Sequence, residues 1–270
     1  MQDLKIIYED ENILAIDKPA GLLVHRAPSF AKASEGEQET LASILLKKYP
    51  EIKNVGDDPE NRPGIVHRLD KETSGVILIA KNQAAFLFLK NQFKERELQK
   101  TYIAIVYGQV KNEHGIIDAP IARSSTDFRR WSASRGKRGK EREAVTEYKV
   151  LKRFVAPAHQ NSSRCALPSS DAVGSLPTKN FNEPALKFTL LELKPKTGRT
   201  HQIRVHMKFL NYPVVCDKLY APNLPCPVLG MNRLALHAKS IEFKKPDGKD
   251  IKIEAPIPED LKQAINIKTL

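Results

Sequence analysis

Apolar residues alternate along some stretches of the chain and recur every three or four positions along others, and these two periods divide it into strands and helices. Residues 4–25 alternate as half-buried strands do, in Ile6-Ile7-Tyr8 and then Ile13-Leu14-Ala15-Ile16, before Lys18-Pro19-Ala20-Gly21 signals a turn. Residues 29–39 are small and polar and read as a loop. Leu41, Ile44, Leu45 and Tyr49 then stand at helical spacing behind Thr40, an N-cap residue type. The continuous apolar run 76–80 predicts a strand, and 83–98 predicts a helix with Phe86, Leu89 and Phe93 on one face. Over 101–110, Tyr102, Ala104 and Val106 alternate with Ile103, Ile105 and Tyr107, a β-rich pattern. Strand patterns at 144–154 and 186–193 flank residues 156–184, which carry four prolines, five serines and few large apolar groups. A hairpin with a long disordered insertion explains this better than a domain boundary, so a single domain over 1–270 is expected. Residues 240–243 and 249–255 bracket Pro246-Asp247-Gly248, a hairpin turn signal. Irregular strands with few helices predict an α+β fold built on a mixed, largely antiparallel sheet.

Composition narrows the partners. With 270 residues, 41% hydrophobic and 28% charged, the chain can bury a sizeable core. Its net charge of +12 favours a polyanion, nucleic acid ahead of an anionic membrane. Membrane binding would need a basic amphipathic helix or a lipidation signal, and neither is present. The apolar runs at 75–80 and 103–107 are too short to span a bilayer. Asp3, Glu9, Asp10 and Glu11 interrupt the place where a signal peptide needs an apolar stretch, so a cytoplasmic protein is expected. Cys165, Cys216 and Cys226 are odd in number and lack Cys-x-x-Cys spacing, which predicts neither a disulfide framework nor a zinc site.

Three segments carry candidate chemistry. Asp70 lies in the polar turn His67-Arg68-Leu69-Asp70-Lys71-Glu72-Thr73-Ser74-Gly75, between apolar stretches. It reads either as a turn aspartate or as a carboxylate held ionised and aimed by neighbouring cations. Residues 129–142 hold seven basic side chains against one acidic, with the only tryptophan. Such a run is either a solvated loop or a set of phosphate contacts. After Thr197-Gly198, the residues Ile203, Met207 and Leu210 share one helical face, and His201, Arg204 and Lys208 share another that would look away from the core. That cationic stripe is either solvated or an anion site near a helix N-terminus. His67, His201, His206 and His237 raise metal-dependent hydrolysis as a rival, but a spacing of five between His201 and His206 does not stack two ligands on one helical face. A non-catalytic nucleic-acid binder is the rival binding class, and it would keep the basic surface.

Arg62-Pro63-Gly64-Ile65-Val66-His67-Arg68-Leu69-Asp70, followed by Thr197-Gly198-Arg199-Thr200-His201-Gln202-Ile203-Arg204-Val205-His206-Met207, closely resembles the RluA family of RNA pseudouridine synthases. The likeness continues in Lys100-Thr101-Tyr102, in Pro213-Val214-Val215-Cys216-Asp217 with Tyr220, and in Arg233-Leu234-Ala235-Leu236-His237-Ala238. It spans nearly the whole chain apart from 29–39 and 156–184. Because the chain opens directly with residues 6–18, it is similar to the minimal form without an additional N-terminal RNA-binding domain.

The resemblance implies the pseudouridine synthase fold with an active-site cleft, and an isomerase that converts uridine in ribosomal or transfer RNA to pseudouridine. It implies no cofactor, no metal, no membrane and no obligate protein partner, hence a monomer bound to RNA. Asp70 maps onto the catalytic aspartate, which acts either on the anomeric carbon or as a base towards a ribose proton. Arg204 maps onto its paired arginine, and a cation that close favours the charged carboxylate. Tyr102 maps onto the tyrosine that lies against the uracil, where an aromatic ring stacks with about 1–3 kcal/mol per base. A target base must leave its stack to react. Arg68 resembles the arginine that fills the vacated space, with a phosphate contact as its alternative. Ile203 and Leu236 are either pocket walls or core. RNA contacts are expected from His67, Arg199 and His201, and from Arg129, Arg130, Arg135, Lys137, Arg138 and Lys140.

Overall fold

The computed structural model describes residues 4–25, 39–134, 137–156 and 185–266. Arg135, and the expected loop at 29–39 and insertion at 156–184 except for Glu39 and Ala156, lie outside the described residues.

The chain runs through β1 (Lys5–Glu9), β2 (Ile13–Lys18), α1 (Leu41–Lys48), β3 (Ser74–Ala80), α2 (Gln83–Glu95), β4 (Gln99–Tyr107), β5 (His114–Asp118), β6 (Ile121–Ser124), β7 (Trp131–Ser132), β8 (Lys137–Arg142), β9 (Val145–Ala156), β10 (Leu186–Pro195), α3 (Gln202–Phe209), β11 (Leu236–Lys244), β12 (Asp250–Glu254) and α4 (Glu259–Asn266). Nine strands form one sheet in the order β1-β2-β3-β11-β4-β10-β9-β5, with β12 added on β11. Every described pairing in it is antiparallel except β3 with β11. The class is α+β, as the strand and helix patterns predict.

Local chemistry fixes the ends of these elements. Thr40 caps α1 by accepting from the Ser43 N–H, while the Ser43 side chain accepts the Thr40 N–H in return. Arg96, in the left-handed region at φ 61°, stops α2 at Glu95, short of the predicted residue 98. One apolar cluster packs α1 and α2 against β1–β3, and a second packs α3 and α4 against β4, β9 and β10. They meet where β3, β11 and β4 lie side by side. At that seam β3 and β11 pair through His237 with Ser74 and Ala238 with Gly75. Gly75 has φ +113°, and a Cβ there would overlap the Ala238 backbone. Only glycine lets the chain leave the Asp70 turn and enter the sheet this close to β11.

Two expectations need correction. The segment 129–142 is not a plain loop: its described residues supply β7 and β8, which pair with β6 in a small three-stranded sheet. Trp131 packs that sheet against the cluster of Ile121 and Tyr220, with Arg123 above its ring at 4.5 Å and Arg142 at 5.5 Å. Cys216 and Cys226 form a disulfide, because the turn after Val215 brings their Cα atoms to 5.2 Å. Spacing in sequence carried no sign of this pairing.

Candidate active site

The Asp70 turn is tied down from below. Lys18 is completely buried, and its ammonium donates to the carbonyls of Pro19, Leu22 and Lys71 at 2.8, 2.9 and 3.0 Å. Burial pulls this lysine down to about 8, yet three carbonyl acceptors use all three ammonium protons. The Lys71 carbonyl also accepts the Gly21 N–H, and the Thr73 N–H closes the turn onto the Asp70 carbonyl. Asp70 is thereby held at the lip of the β3–β11 seam with its carboxylate half-buried.

Helix α3 approaches from the other side, anchored through Gln202. Its amide oxygen accepts from the Thr197 hydroxyl (2.6 Å) and the Arg199 N–H (3.0 Å). Its amide nitrogen donates to the Val145 carbonyl and the Thr146 hydroxyl, both at 3.0 Å. His206 bonds Thr146 and the Ala119 carbonyl at 2.9 and 3.0 Å. Arg204 therefore points inward, not along the solvent-facing stripe that the spacing predicts: it is buried, whereas Lys208 of the same stripe is exposed. His201 lies ahead of the helix, in the left-handed region at φ 57°.

This brings Arg204 and Asp70 together. Arg204 Nη1 donates to Asp70 Oδ2 at 3.1 Å, while Nε and Nη2 donate to Asp217 Oδ2 and Oδ1 at 2.7 and 2.8 Å. Burial opposes the charge on Arg204, but the Asp217 hydrogen bonds and charge, with the charge of Asp70, more than offset it and raise its pKa. His201 Nε2 stands 3.9 Å from Asp70 Oδ1. Its Nδ1 lies 3.0 Å from the Tyr220 hydroxyl, which accepts the Trp131 N–H at 3.0 Å. Burial, only partly countered by Asp70, lowers His201 and keeps it neutral.

A cleft of about 570 Å³ opens over these groups. Eight lysine and arginine side chains line it, against a single carboxylate, Asp70. Tyr102, Ile203 and Leu236 form apolar wall, so both of the latter line the pocket while remaining buried. Burial and then the Asp70 charge push the Tyr102 hydroxyl above its ordinary pKa. Lys100, two residues before Tyr102 on β4, is lowered to about 8 by burial and makes one long bond, 3.3 Å, to the Thr197 carbonyl. Arg68 sits exposed at the rim with no ion pair or hydrogen bond among the described residues.

The profile of RNA pseudouridylate synthases matches residues 12–209. This chain belongs to the RNA pseudouridylate synthase family. An uncharacterised RNA pseudouridine synthase of Bacillus subtilis is 35% identical over 97% of this chain and 72% of its own length. The ribosomal large subunit pseudouridine synthase D of Borreliella burgdorferi is 39% identical over 80% of this chain, which spans only 54% of that relative. Among solved structures, human RNA pseudouridylate synthase domain containing 1 shares the fold, with a TM-score of 0.67 at 24% identity over 95% of this chain and 84% of that one.

Within this pseudouridylate synthase the remaining expected contacts divide. His67 lines the cleft, but its Nε2 accepts the Leu78 N–H at 2.9 Å and its ring stacks on Phe93. Burial, with Lys100 beside it, lowers it to about 3, so it is a neutral strut rather than a cation for phosphate. Arg199 lines the cleft and donates through Nε to the Glu143 carbonyl. The other basic residues lie away from it: Arg129 and Arg130 pair with Asp127, Lys137 with Glu141, while Arg138 and Lys140 are exposed on β8. His237 bonds Ser74 at 3.0 Å and is fully buried, so the four histidines weighed as metal ligands are engaged separately. Sequence reading gave no role to Asp217, Tyr220, Lys18, Arg123 or Arg142. The segment holding Asp217 and Tyr220 was visible as a motif, but its place against Arg204 is tertiary.

Proposed function

We propose that this chain isomerises uridine in RNA to pseudouridine, with Asp70 as the reacting carboxylate. The observation that carries the reading is the Arg204 bond to Asp70 Oδ2 at 3.1 Å in a cationic cleft, with His201 Nε2 3.9 Å from Oδ1. In the reaction the N1–C1′ bond of uridine breaks and a C5–C1′ bond forms. The proton on C5 is lost and N1 gains one, so no oxidant, reductant or metal enters the balance. Asp70 serves either by adding to C1′ or by removing a ribose proton. Tyr102 offers its ring to the uracil. Its raised pKa makes it a phenol that donates hydrogen bonds, not a phenolate base. Arg68, exposed at the rim, has the planar guanidinium suited to stacking where the flipped base was.

Arg199 in the cleft, and Arg138 and Lys140 on the small sheet, supply the electrostatic hold on RNA, to which neutral His201 adds at most a hydrogen bond. Large-subunit ribosomal RNA is placed first among substrates because the Borreliella relative is named for it. Among the described residues no helix is long and apolar enough to cross a membrane, and we place the enzyme in the cytoplasm as a monomer. Release of tritium from RNA labelled at uridine C5, measured with chelator and without added metal, tests the activity. Pseudouridine mapping in ribosomal and transfer RNA from cells with and without the gene identifies the target. Chelator-sensitive RNA cleavage in place of tritium release would refute the isomerase.

A further inference from the structure

We propose that Asp217 is a positioning residue: it fixes Arg204 so that one guanidinium nitrogen alone bears on Asp70. The inference rests on the reading of Asp70 as the reacting carboxylate.

The bonds around Arg204 are unequal. Asp217 takes two of its edges at 2.7 and 2.8 Å, and Asp70 takes one nitrogen at 3.1 Å. A two-point fork fixes the plane of a guanidinium, whereas one bond lets it swing. Asp217 is itself immobile. Its side chain is completely buried, and its Oδ1 also accepts the N–H groups of Leu219 and Tyr220, both at 3.0 Å. The same turn carries Tyr220, whose ring lies 5.0 Å beneath the Arg204 guanidinium. Arg204 is thus gripped on its edge by Asp217 and on its face by Tyr220.

Consider the pocket without the Asp217 charge. Nε and Nη2 of a buried guanidinium would lose their acceptors, and a buried donor without a partner is costly. The nearest remaining carboxylate is Asp70. Arg204 would turn its fork onto it and engage both oxygens, leaving neither free for the ribose. Asp217 prevents this by taking the fork itself. Two carboxylates on one guanidinium also leave net negative charge beside C1′, where positive charge develops as the glycosidic bond breaks.

The test is a double-mutant cycle read by single-turnover rate and RNA binding. Asp217→Asn should slow the reaction by about 10- to 100-fold, the scale of a misplaced catalytic group, with RNA affinity unchanged. Combined with Arg204→Gln it should add nothing to the loss that Arg204→Gln causes alone. Losses that multiply, or an Asp217→Asn effect confined to RNA affinity, would overturn the proposal. A measurement on the unaltered protein covers variants that fail to fold. In ¹⁵N spectra the Arg204 side chain should give a slowly exchanging Nε–H signal and separate Nη signals, whereas one averaged Nη signal would overturn the grip. Asp70→Asn run in parallel separates the two readings. Turnover surviving there defeats the role of Asp70 itself, while a dead Asp70→Asn beside an undiminished Asp217→Asn defeats only this proposal.

Discussion

The cleft and the small basic sheet are both rich in cations, but they hold them in opposite ways. At the cleft floor Arg204 is buried, forked by Asp217 and seated on Tyr220, and Lys18 spends every proton on backbone carbonyls. On β8, Arg138 and Lys140 stand in solvent, and Arg129 and Arg130 share Asp127 at the surface. Buried charge is costly unless paired, so each of these two buried cations is committed to one geometry. Surface charge is cheap and screened, so on the sheet it acts by number rather than by position. One region directs atoms, and the other gathers a polyanion.

Substitutions should separate the two regions by the size of their effects. The largest belongs to the seam: Gly75→Ala forces a Cβ onto the Ala238 backbone at positive φ and should cost about 4 kcal/mol or more, read as a lowered urea midpoint. Next comes Arg204→Gln, which leaves Asp217 buried without its cation and should cost about 3–5 kcal/mol on the same scale. A smaller effect comes from pH. Burial lowers His237 to about 4, against an ordinary 6.5 in the unfolded chain. As pH falls from 6.5 towards 4, the unfolded chain takes up a proton that the folded one refuses. Stability is therefore full above pH 6.5 and is lost on acidification, by about 2–3 kcal/mol near pH 4.5. His237→Asn should flatten that part of the curve. The smallest belongs to the sheet: Arg138→Gln with Lys140→Gln should move stability by less than about 0.5 kcal/mol. It should weaken RNA binding at low salt and reduce the salt slope by about one unit per lost phosphate contact. A large loss of stability there would erase the contrast.

The same contrast sets what was legible in the sequence. Strands β1, β2, β4, β9 and β10 follow from local strand patterns, β3 from a continuous apolar run and the β11–β12 hairpin from its turn signal, and α1 starts at the cap that Thr40 announces. The Asp70 turn and the helix carrying Arg204 stand out as motifs. Helical spacing alone places Arg204 on a solvent face, because periodicity cannot weigh a buried acid that a later turn delivers. Asp217 supplies that acid from a loop, where no period exists to read. The sheet of β6 to β8 was hidden for another reason: its strands are short, basic and interrupted by glycine, and Trp131 with two flanking arginines holds them in place of an apolar stripe. Paired cysteines ten residues apart were equally silent.

Asp70→Asn offers the most direct test of the account, since it keeps the shape of the side chain and removes only its charge. The measurement is tritium release from uridine-C5-labelled RNA, with binding of the same RNA followed in parallel. The account predicts that release falls to background while the RNA still binds. Release at an undiminished rate would contradict it.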